Sequence, residues 1–159
     1  ILLRIWGFLM NTIMAEESKK GRVVGIGGIF FKSDNPKDIR QWYTDHLGIK
    51  TNQYGALFET RKVSDNNAVS FLQWSVMKAD SEHFSNPNQK FMINYRVENL
   101  KELLESLNEQ GIEQVGDVES YEYGKFAWII DPDGNKVELW EPKDRPFEEL
   151  YPMDENNYE

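Results

Sequence analysis

Residues 126–142, FAWIIDPDGNKVELWEP, predict two strands joined by a tight turn. An apolar run leads into Asp-Pro-Asp-Gly-Asn, a sequence typical of a turn, and a second strand follows it. Side chains alternate between the two faces of a strand, so Val137 and Leu139 share one face while Lys136, Glu138 and Trp140 share the other. A lone carboxylate, Glu138, therefore stands in an apolar strand and needs partners from elsewhere in the chain.

The composition limits the classes of protein to which this chain could belong. Its 159 residues can form one good core but hardly two independent domains. The net charge of −9 points away from nucleic acid and towards a cationic ligand. The chain has no Cys, which excludes disulfides, thiol nucleophiles and Cys-type zinc sites and fits a cytoplasmic location.

The two ends of the chain differ from its body. Residues 1–14 are apolar but too short to span a bilayer, which takes about 20 residues, so we expect no membrane contact. We interpret residues 1–20 either as a non-native or upstream extension, with Met14 as the natural start, or as a segment packed on the body. Residues 144–159 are expected to form an acidic, loosely packed tail.

The rest of the chain predicts the same order of elements twice. A strand, a helix and further strand segments are expected at 23–32, 36–47, 56–61 and 69–77, and again at 91–97, 98–110, 113–118 and 126–140. Each helix carries an apolar stripe predicted to be buried: Ile39, Trp42, Tyr43, His46 and Leu47 in the first, and Leu100, Leu103, Leu104 and Leu107 in the second. The two modules span residues 21–85 and 90–143, with a turn-rich linker at 85–89.

A unit of one strand, one helix and three strands forms a small curved sheet with its helix on the convex side. We therefore predict an α+β fold in which two βαβββ modules pair into a mixed-sheet cup. The stretches at 42–49, WYTDHLGI, and at 126–142 resemble the vicinal-oxygen-chelate superfamily, which includes glyoxalase, bleomycin-resistance proteins and extradiol dioxygenases. The resemblance covers residues 25–142 and implies a homodimer.

The resemblance also implies where a metal would bind. Glu138 matches a metal-ligand position, and the family takes further ligands from the first strand of each module, commonly as His, and from the last strand of the first module. Those positions fall on Gly28, Met92 and Gln73, and neither Gly28 nor Met92 can bind a hard or borderline cation. We therefore predict no metal and no other cofactor, with a Zn, Ni, Mn or Fe site as the alternative.

Several residues are candidates for the site. We expect catalytic roles, if the protein is an enzyme, for Glu138, Glu122 and Tyr123. Ligand contacts are expected from Gln73, Trp74, Met92, Trp128, Trp140 and Glu138. His46 is interpreted as a helix-face residue near the C-terminal end of its helix and His83 as a loop residue, and neither is expected to be a ligand or a base.

Three functions remain open at this point. The first is a metal-free protein that binds a small aromatic or cationic molecule. The second is an enzyme, either a glyoxalase-type lyase or isomerase or a dioxygenase, that uses a divalent metal or a Glu/Tyr proton shuttle. The third is a catalytically empty structural or regulatory module, since a fold does not determine a function.

Overall fold

A computed structural model describes residues 20–62 and 65–145, except for the side chain of Asn66. The predictions for the N-terminal extension and for most of the acidic tail lie outside these residues. The elements are β1 Arg22–Ser33, α1 Pro36–Leu47, β2 Ala56–Lys62, β3 Asp65–Lys78, β4 Phe91–Glu98, α2 Leu100–Glu109, β5 Glu119–Tyr121, β6 Gly124–Ile130 and β7 Lys136–Pro142.

The described strands form one open, seven-stranded mixed sheet with the order β2-β3-β1-β4-β7-β6-β5. The central strands β1 and β4 are antiparallel, and each pairs in parallel with the last strand of its own unit, β3 or β7. The predicted α+β fold of two paired units is confirmed. The units differ in strand number, because within the described residues two strands follow α1, with an isolated bridge between Asn52 and Gly55, whereas three follow α2.

The two helices end where the sequence predicts but differ in how they pack. Gly48 ends α1 in a left-handed conformation with φ 68°, and Pro36 occupies its first turn. The prediction of a fully buried stripe on α1 is wrong, because Trp42 is 50% and Leu47 is 60% exposed. No residue of α1 is buried, and Tyr43 contacts the sheet edge-on to the rings of Trp74 and Phe31. Helix α1 therefore packs against the sheet over a narrow area.

The four leucines predicted for α2 do pack against the sheet. Leu100 is buried, and Leu103, Leu104 and Leu107 cover the same core cluster, which includes Ala127 and Leu139. The first turn of α2 is capped by Glu141 of β7, whose Oε1 accepts a hydrogen bond of 3.0 Å from the backbone N–H of Leu100. This core and cap attach α2 to the end of β7.

The predicted strand at 113–118 is wrong. Gln114 makes a single isolated bridge to Ile129, and Gly116 then takes a left-handed conformation with φ 72°, which interrupts an extended chain. Regular pairing begins only at β5, where Glu119 lies opposite Phe126. The segment is therefore a loop beside the sheet rather than a strand within it.

The turn between β6 and β7 places these two strands in register. The Asp131 carboxylate accepts hydrogen bonds from the side chain and from the backbone N–H of Asn135, and these bonds lower the pKa of Asp131. Gly134 has φ 81°, a conformation that favours glycine. Trp128 consequently lies directly opposite Glu138 across the hairpin.

The sheet has two different faces. Leu139 packs on the side of α2, whereas Glu138 lies on the other side, as strand alternation predicts. We call that second side the cavity face. Among the residues that the structure describes, its buried apolar side chains form two clusters: Phe30, Phe84, Met92 and Trp128 in one, and Phe71 and Trp140 in the other. The candidate site lies on the cavity face.

Candidate functional site

A single row of paired residues crosses the sheet at the centre of the cavity face. Gln73 of β3 pairs with Gly28 of β1, Gly28 with Asn94 of β4, Asn94 with Glu138 of β7, and Glu138 with Trp128 of β6. The row is symmetric about the contact between Gly28 and Asn94. Gln73 lies on the last strand of the first unit, and Glu138 lies on the last strand of the second.

This register adds one residue to the site. Gly28 and Met92 lie on equivalent strands, β1 and β4, as the sequence predicts, but the residue directly opposite Gly28 in the sheet is Asn94. Met92 pairs with Phe30 and is 1% exposed. Strand alternation does not reveal which residues of two strands lie opposite each other, because a shift of two keeps every side chain on the same face.

The carboxylate of Glu138 is buried and is surrounded by nitrogen atoms. Asn94 Nδ2 donates to its Oε1 at 2.6 Å, and Trp128 Nε1 donates to its Oε2 at 2.7 Å. His83 Nε2 lies 3.1 Å from the same Oε2, and the Glu138 side chain is 4% exposed. Hydrogen bonds to a carboxylate are about twice as strong as those between neutral groups, so these donors offset the cost of burying the charge.

Two glycines make room for this arrangement. A Cβ atom at Gly27 would lie 2.3 Å from Asn94 Oδ1, and one at Gly28 would lie 2.8 Å from the ring of Phe30. The Asn94 side chain can occupy its position because residue 27 has no side chain. Asn94 Oδ1 is buried and has no hydrogen-bond partner among the described residues, so the amide is oriented by its donor group alone.

His83 reaches the site from the loop that joins the two units. Its ring lies edge-on to the rings of Phe30, Trp128 and Phe84, with centroids 5.9, 6.2 and 6.2 Å away. The loop is fixed by Gln89, whose side chain bonds both the N–H and the carbonyl of Lys136 on β7. His83 is a loop residue, as the sequence predicts, but its contact with Glu138 and its place in the cavity lining make it part of the candidate site.

The cavity above Glu138 has a volume of about 810 Å³. One wall is aromatic: the rings of Tyr121 and Tyr123 stack with centroids 5.3 Å apart, and Phe126 lies edge-on to both. Among the described residues that line it, four carry a carboxylate and one an ammonium group: Glu82, Asp117, Glu119, Glu138 and Lys136. The cavity is both acidic and aromatic.

Tyr121 is held at the rim by an acidic neighbour. Its hydroxyl donates a hydrogen bond of 2.5 Å to Glu119 Oε2. This bond favours the protonated hydroxyl and raises the pKa of Tyr121 above its ordinary value. Tyr121 therefore stays neutral at physiological pH and presents an aromatic surface without a negative charge of its own.

The predicted site residues separate into two groups. Gln73, Tyr123, Trp128 and Glu138 line the cavity. The others do not: Trp74 packs on the other face against α1, Met92 lies beneath the cavity floor, Trp140 is buried under Phe126, and Glu122 is exposed in the β5–β6 turn. Predicted ligand contacts by Trp74, Met92 and Trp140, and catalysis by Glu122, are not supported by these placements. Asn94 was not predicted for the site, and His83 was interpreted as a loop residue, yet both contact Glu138.

The cavity face also carries a buried cation outside the cavity lining. Arg96, two residues along β4 from Asn94, is 5% exposed and lies 4.9 Å over the ring of Trp140. It pairs with Asp144, which also pairs with Lys62 at 2.6 Å. Arg96, Lys62 and Asp144 are not among the residues that line the cavity, so this cluster does not change the charge of the lining.

The residues present do not fit the divalent metal that the fold family implies. In the symmetric row, Gly28 offers no ligand, and Asn94 turns a donor rather than an acceptor towards Glu138. Gln73 uses its amide nitrogen on the carbonyl of Tyr54 and on other groups nearby. No group of three or more His, Cys, Asp or Glu in the described part of the chain could hold a metal ion.

Comparison with known proteins supports the fold. No family model and no curated protein matches the chain. Methylmalonyl-CoA epimerase from Mycobacterium tuberculosis is similar in structure, with 18% identity, a TM-score of 0.51, and 76% of this chain and 89% of that chain covered. A variant of the Streptomyces coelicolor methylmalonyl-CoA epimerase, solved with 2-nitronate-propionyl-CoA, is also similar in structure. It has 13% identity and a TM-score of 0.55, and the match covers 77% of this chain and 99% of that chain.

A glyoxalase/bleomycin resistance protein/dioxygenase superfamily member from Vibrio splendidus 12B01 gives 13% identity, a TM-score of 0.46, and 77% and 99% coverage. The two epimerases show that this chain shares their fold. Within the residues described, no helix is both long and apolar enough to cross a membrane.

Proposed function

We propose that this chain is a metal-free small-molecule-binding protein and that its ligand is a flat organic cation. The observation that carries the proposal is the charge of the cavity, which has four carboxylate residues and one lysine among the described residues that line it. A cleft lined by one sign of charge concentrates ligands of the opposite sign. The cavity therefore favours a cation over an anion of the same shape.

The aromatic wall supports a flat ligand. The stacked rings of Tyr121 and Tyr123 are parallel to within 2°. Trp128 lies at the floor, but Lys136 already lies 5.1 Å over its ring, so the tyrosines are the rings offered to a ligand. Aromatic faces attract cations with about 0.5–2 kcal/mol each, depending on how far the cation is desolvated. The volume of about 810 Å³ lies within the range of small-molecule sites, roughly 300–1,000 Å³.

The same charges disfavour the kind of ligand bound by the structural neighbours. The Streptomyces coelicolor epimerase variant was solved with a coenzyme A thioester, which carries several phosphate charges. In this chain a phosphate in the cavity would approach Glu82, Asp117 and Glu119, with Lys136 as the opposing charge. A metal-dependent lyase or dioxygenase is disfavoured as well, because the matched positions do not supply the ligands.

A set of three probes of similar shape tests the proposal: the cation N-methylquinaldinium, the neutral methylnaphthalene and the anion naphthoate. Trp128 lies in the cavity, so tryptophan fluorescence reports binding. We expect the cation to bind at least about tenfold more tightly than the other two, which is about 1.4 kcal/mol, and its affinity to fall with added salt.

Two charge-removing variants complete the test. Glu119→Gln should weaken binding of the cation severalfold, because Glu119 lines the cavity. Glu109→Gln removes the same charge from the exposed end of α2. This control variant should bind the cation with unchanged affinity. Naphthoate binding as tightly as the cation, or equal effects of the two variants, would contradict the proposal.

A further inference from the structure

We propose that His83 is a general base that removes a proton from the cation bound in the cavity, without a metal. The inference rests on the proposed ligand site and adds an activity to it. It assigns His83 as the catalytic residue, with Glu138 as the residue that positions it. The substrate class is a cationic carbon or nitrogen acid.

The hydrogen bond to Glu138 determines which nitrogen of His83 can act. A carboxylate only accepts hydrogen bonds, so Glu138 Oε2, at 3.1 Å, keeps the proton of the neutral imidazole on Nε2. Nδ1 then carries the lone pair. It has no hydrogen-bond partner among the described residues, and the side chain, 30% exposed, lines the cavity. Nδ1 is therefore available to a ligand.

The surroundings of His83 restrict the motion of its ring. Phe30 and Trp128 contact it edge-on from the floor, and Phe84, the next residue, anchors the loop with an exposure of 4%. Glu138 is fixed in turn by Asn94 and Trp128. A base oriented by a buried carboxylate, which is itself hydrogen-bonded, is the arrangement that general-base catalysis requires.

The charge of the cavity suits proton transfer from a cation. When a cationic acid loses a proton to a neutral imidazole, the positive charge passes from the ligand to His83, and no new anion forms. The imidazolium then lies 3.1 Å from Glu138 and near Glu82, which also lines the cavity. Acidic neighbours stabilise the protonated base.

N-methylquinaldinium supplies a proton transfer that can be measured. A C–H bond of the methyl group beside the ring nitrogen breaks, and its electron pair forms an exocyclic C=C bond. The ring C=N bond becomes single as its pair moves to the nitrogen, which becomes neutral. The proton forms an N–H bond with His83 Nδ1. In heavy water the imidazolium exchanges this proton for a deuteron and returns it to the same carbon, so the cycle needs no oxidant or reductant.

The exchange is followed by proton NMR in heavy water with the probe at saturation. We expect the wild-type protein to exceed an equal concentration of free imidazole by about 100-fold or more, the usual contribution of a positioned base. His83→Gln should abolish the acceleration. The chain offers a matched control in its other histidine, because His46 on α1 stacks on Trp42 away from the cavity, and His46→Gln should exchange at the wild-type rate.

Glu138→Gln tests the positioning role. A carboxylate only accepts from Nε2, whereas the amide of the variant can either accept or donate, so it no longer fixes the proton of His83 on Nε2. We expect the rate to fall about tenfold and nitrogen NMR to show both protonated forms of the neutral ring. An unchanged rate with the Nε2-protonated form retained would refute the role of Glu138. A His83→Gln protein that is folded by circular dichroism and still accelerates the exchange would overturn the proposal.

Two further outcomes separate this inference from the proposed function. A wild-type protein that binds the cation but does not accelerate exchange would overturn the base and leave the binding site intact. A protein that does not bind the cation would overturn the binding site. In either case nitrogen NMR of the His83 ring is a separate check: the Nε2-protonated form is expected, and an Nδ1-protonated form would refute the base.

Discussion

The substitution Asn94→Asp replaces an NH₂ group by an oxygen in the row beneath the cavity and leaves the size of the side chain almost unchanged. In the wild type this NH₂ donates to Glu138 Oε1 at 2.6 Å, and Asn94 is 2% exposed. In the variant two carboxyl groups would meet there. They can coexist by sharing one proton, as paired carboxylates in buried sites do.

The cost follows from the proton. A carboxyl group with an ordinary pKa of about 4 takes up a proton at pH 7 at a cost of about 4 kcal/mol, since each pH unit is about 1.4 kcal/mol. Two unprotonated carboxylates about 4 Å apart would repel by a similar amount and would also lose the hydrogen bond, about 2 kcal/mol. Sharing the proton therefore costs less free energy than leaving both groups charged. We expect the free energy of unfolding of the variant to be about 4 kcal/mol lower than that of the wild type at pH 7.

The sign of the pH dependence is fixed by which state holds the proton. In the folded variant the pair of carboxyl groups holds one proton, whereas in the unfolded variant both groups release their protons above about pH 4. The pKa of the pair is therefore raised in the folded state, and the variant becomes less stable as the pH rises. The difference in the free energy of unfolding between wild type and variant should fall to about 1.5 kcal/mol near pH 5. Asn108→Asp, an exposed position on α2, should change stability by about 0.5 kcal/mol or less at both pH values.

Urea unfolding at the two pH values, followed by tryptophan fluorescence, measures these differences. A loss below about 1 kcal/mol at pH 7 would show that the amide of Asn94 does not face Glu138. Equal losses at both pH values would show that the two carboxyl groups do not share a proton. Either result would refute the described geometry beneath the cavity.

Three further predictions concern other parts of the molecule. Gly27→Ala should destabilise the protein by about 1–3 kcal/mol or more in urea unfolding, because the new Cβ atom would lie 2.3 Å from Asn94 Oδ1. Gly25→Ala is the control and should be tolerated, because the nearest atom to its Cβ would be 3.9 Å away. Glu119→Gln should lower the pKa of Tyr121 in a spectrophotometric titration, because the acidic hydrogen-bond partner is lost. A homodimer at micromolar concentration remains a prediction, which light scattering can check, and a monomer would contradict it.

Local sequence signals predicted most of the elements. Pro36 and Gly48 mark the ends of α1, and the turn after Asp131 fixes how β6 meets β7, because each depends on backbone preferences of a few neighbouring residues. The same locality explains why Glu138 was placed on the correct face. Strand alternation needs only the strand itself.

The site was predicted only in part because it depends on contacts between distant segments. The pairing of Gly28 with Asn94 follows a register irregularity between Ile26 and Gly28, which the alternating pattern does not reveal. His83 lies in a polar loop without periodicity, and the loop position is determined by anchors on other elements. One signal was present: Phe84, an apolar residue directly after His83, indicates a loop that is held against the core.

The loop between the units has a consequence for how the protein can be divided. It brings His83, which belongs to the first half of the chain, within 3.1 Å of Glu138 in the second half, and Gln89 ties it to the start of β7. Neither half alone contains both residues. If the chain were cut within this loop, the fragments could form the pair only by reassociating, so fragment complementation would report the integrity of the site and of the interface between the halves together.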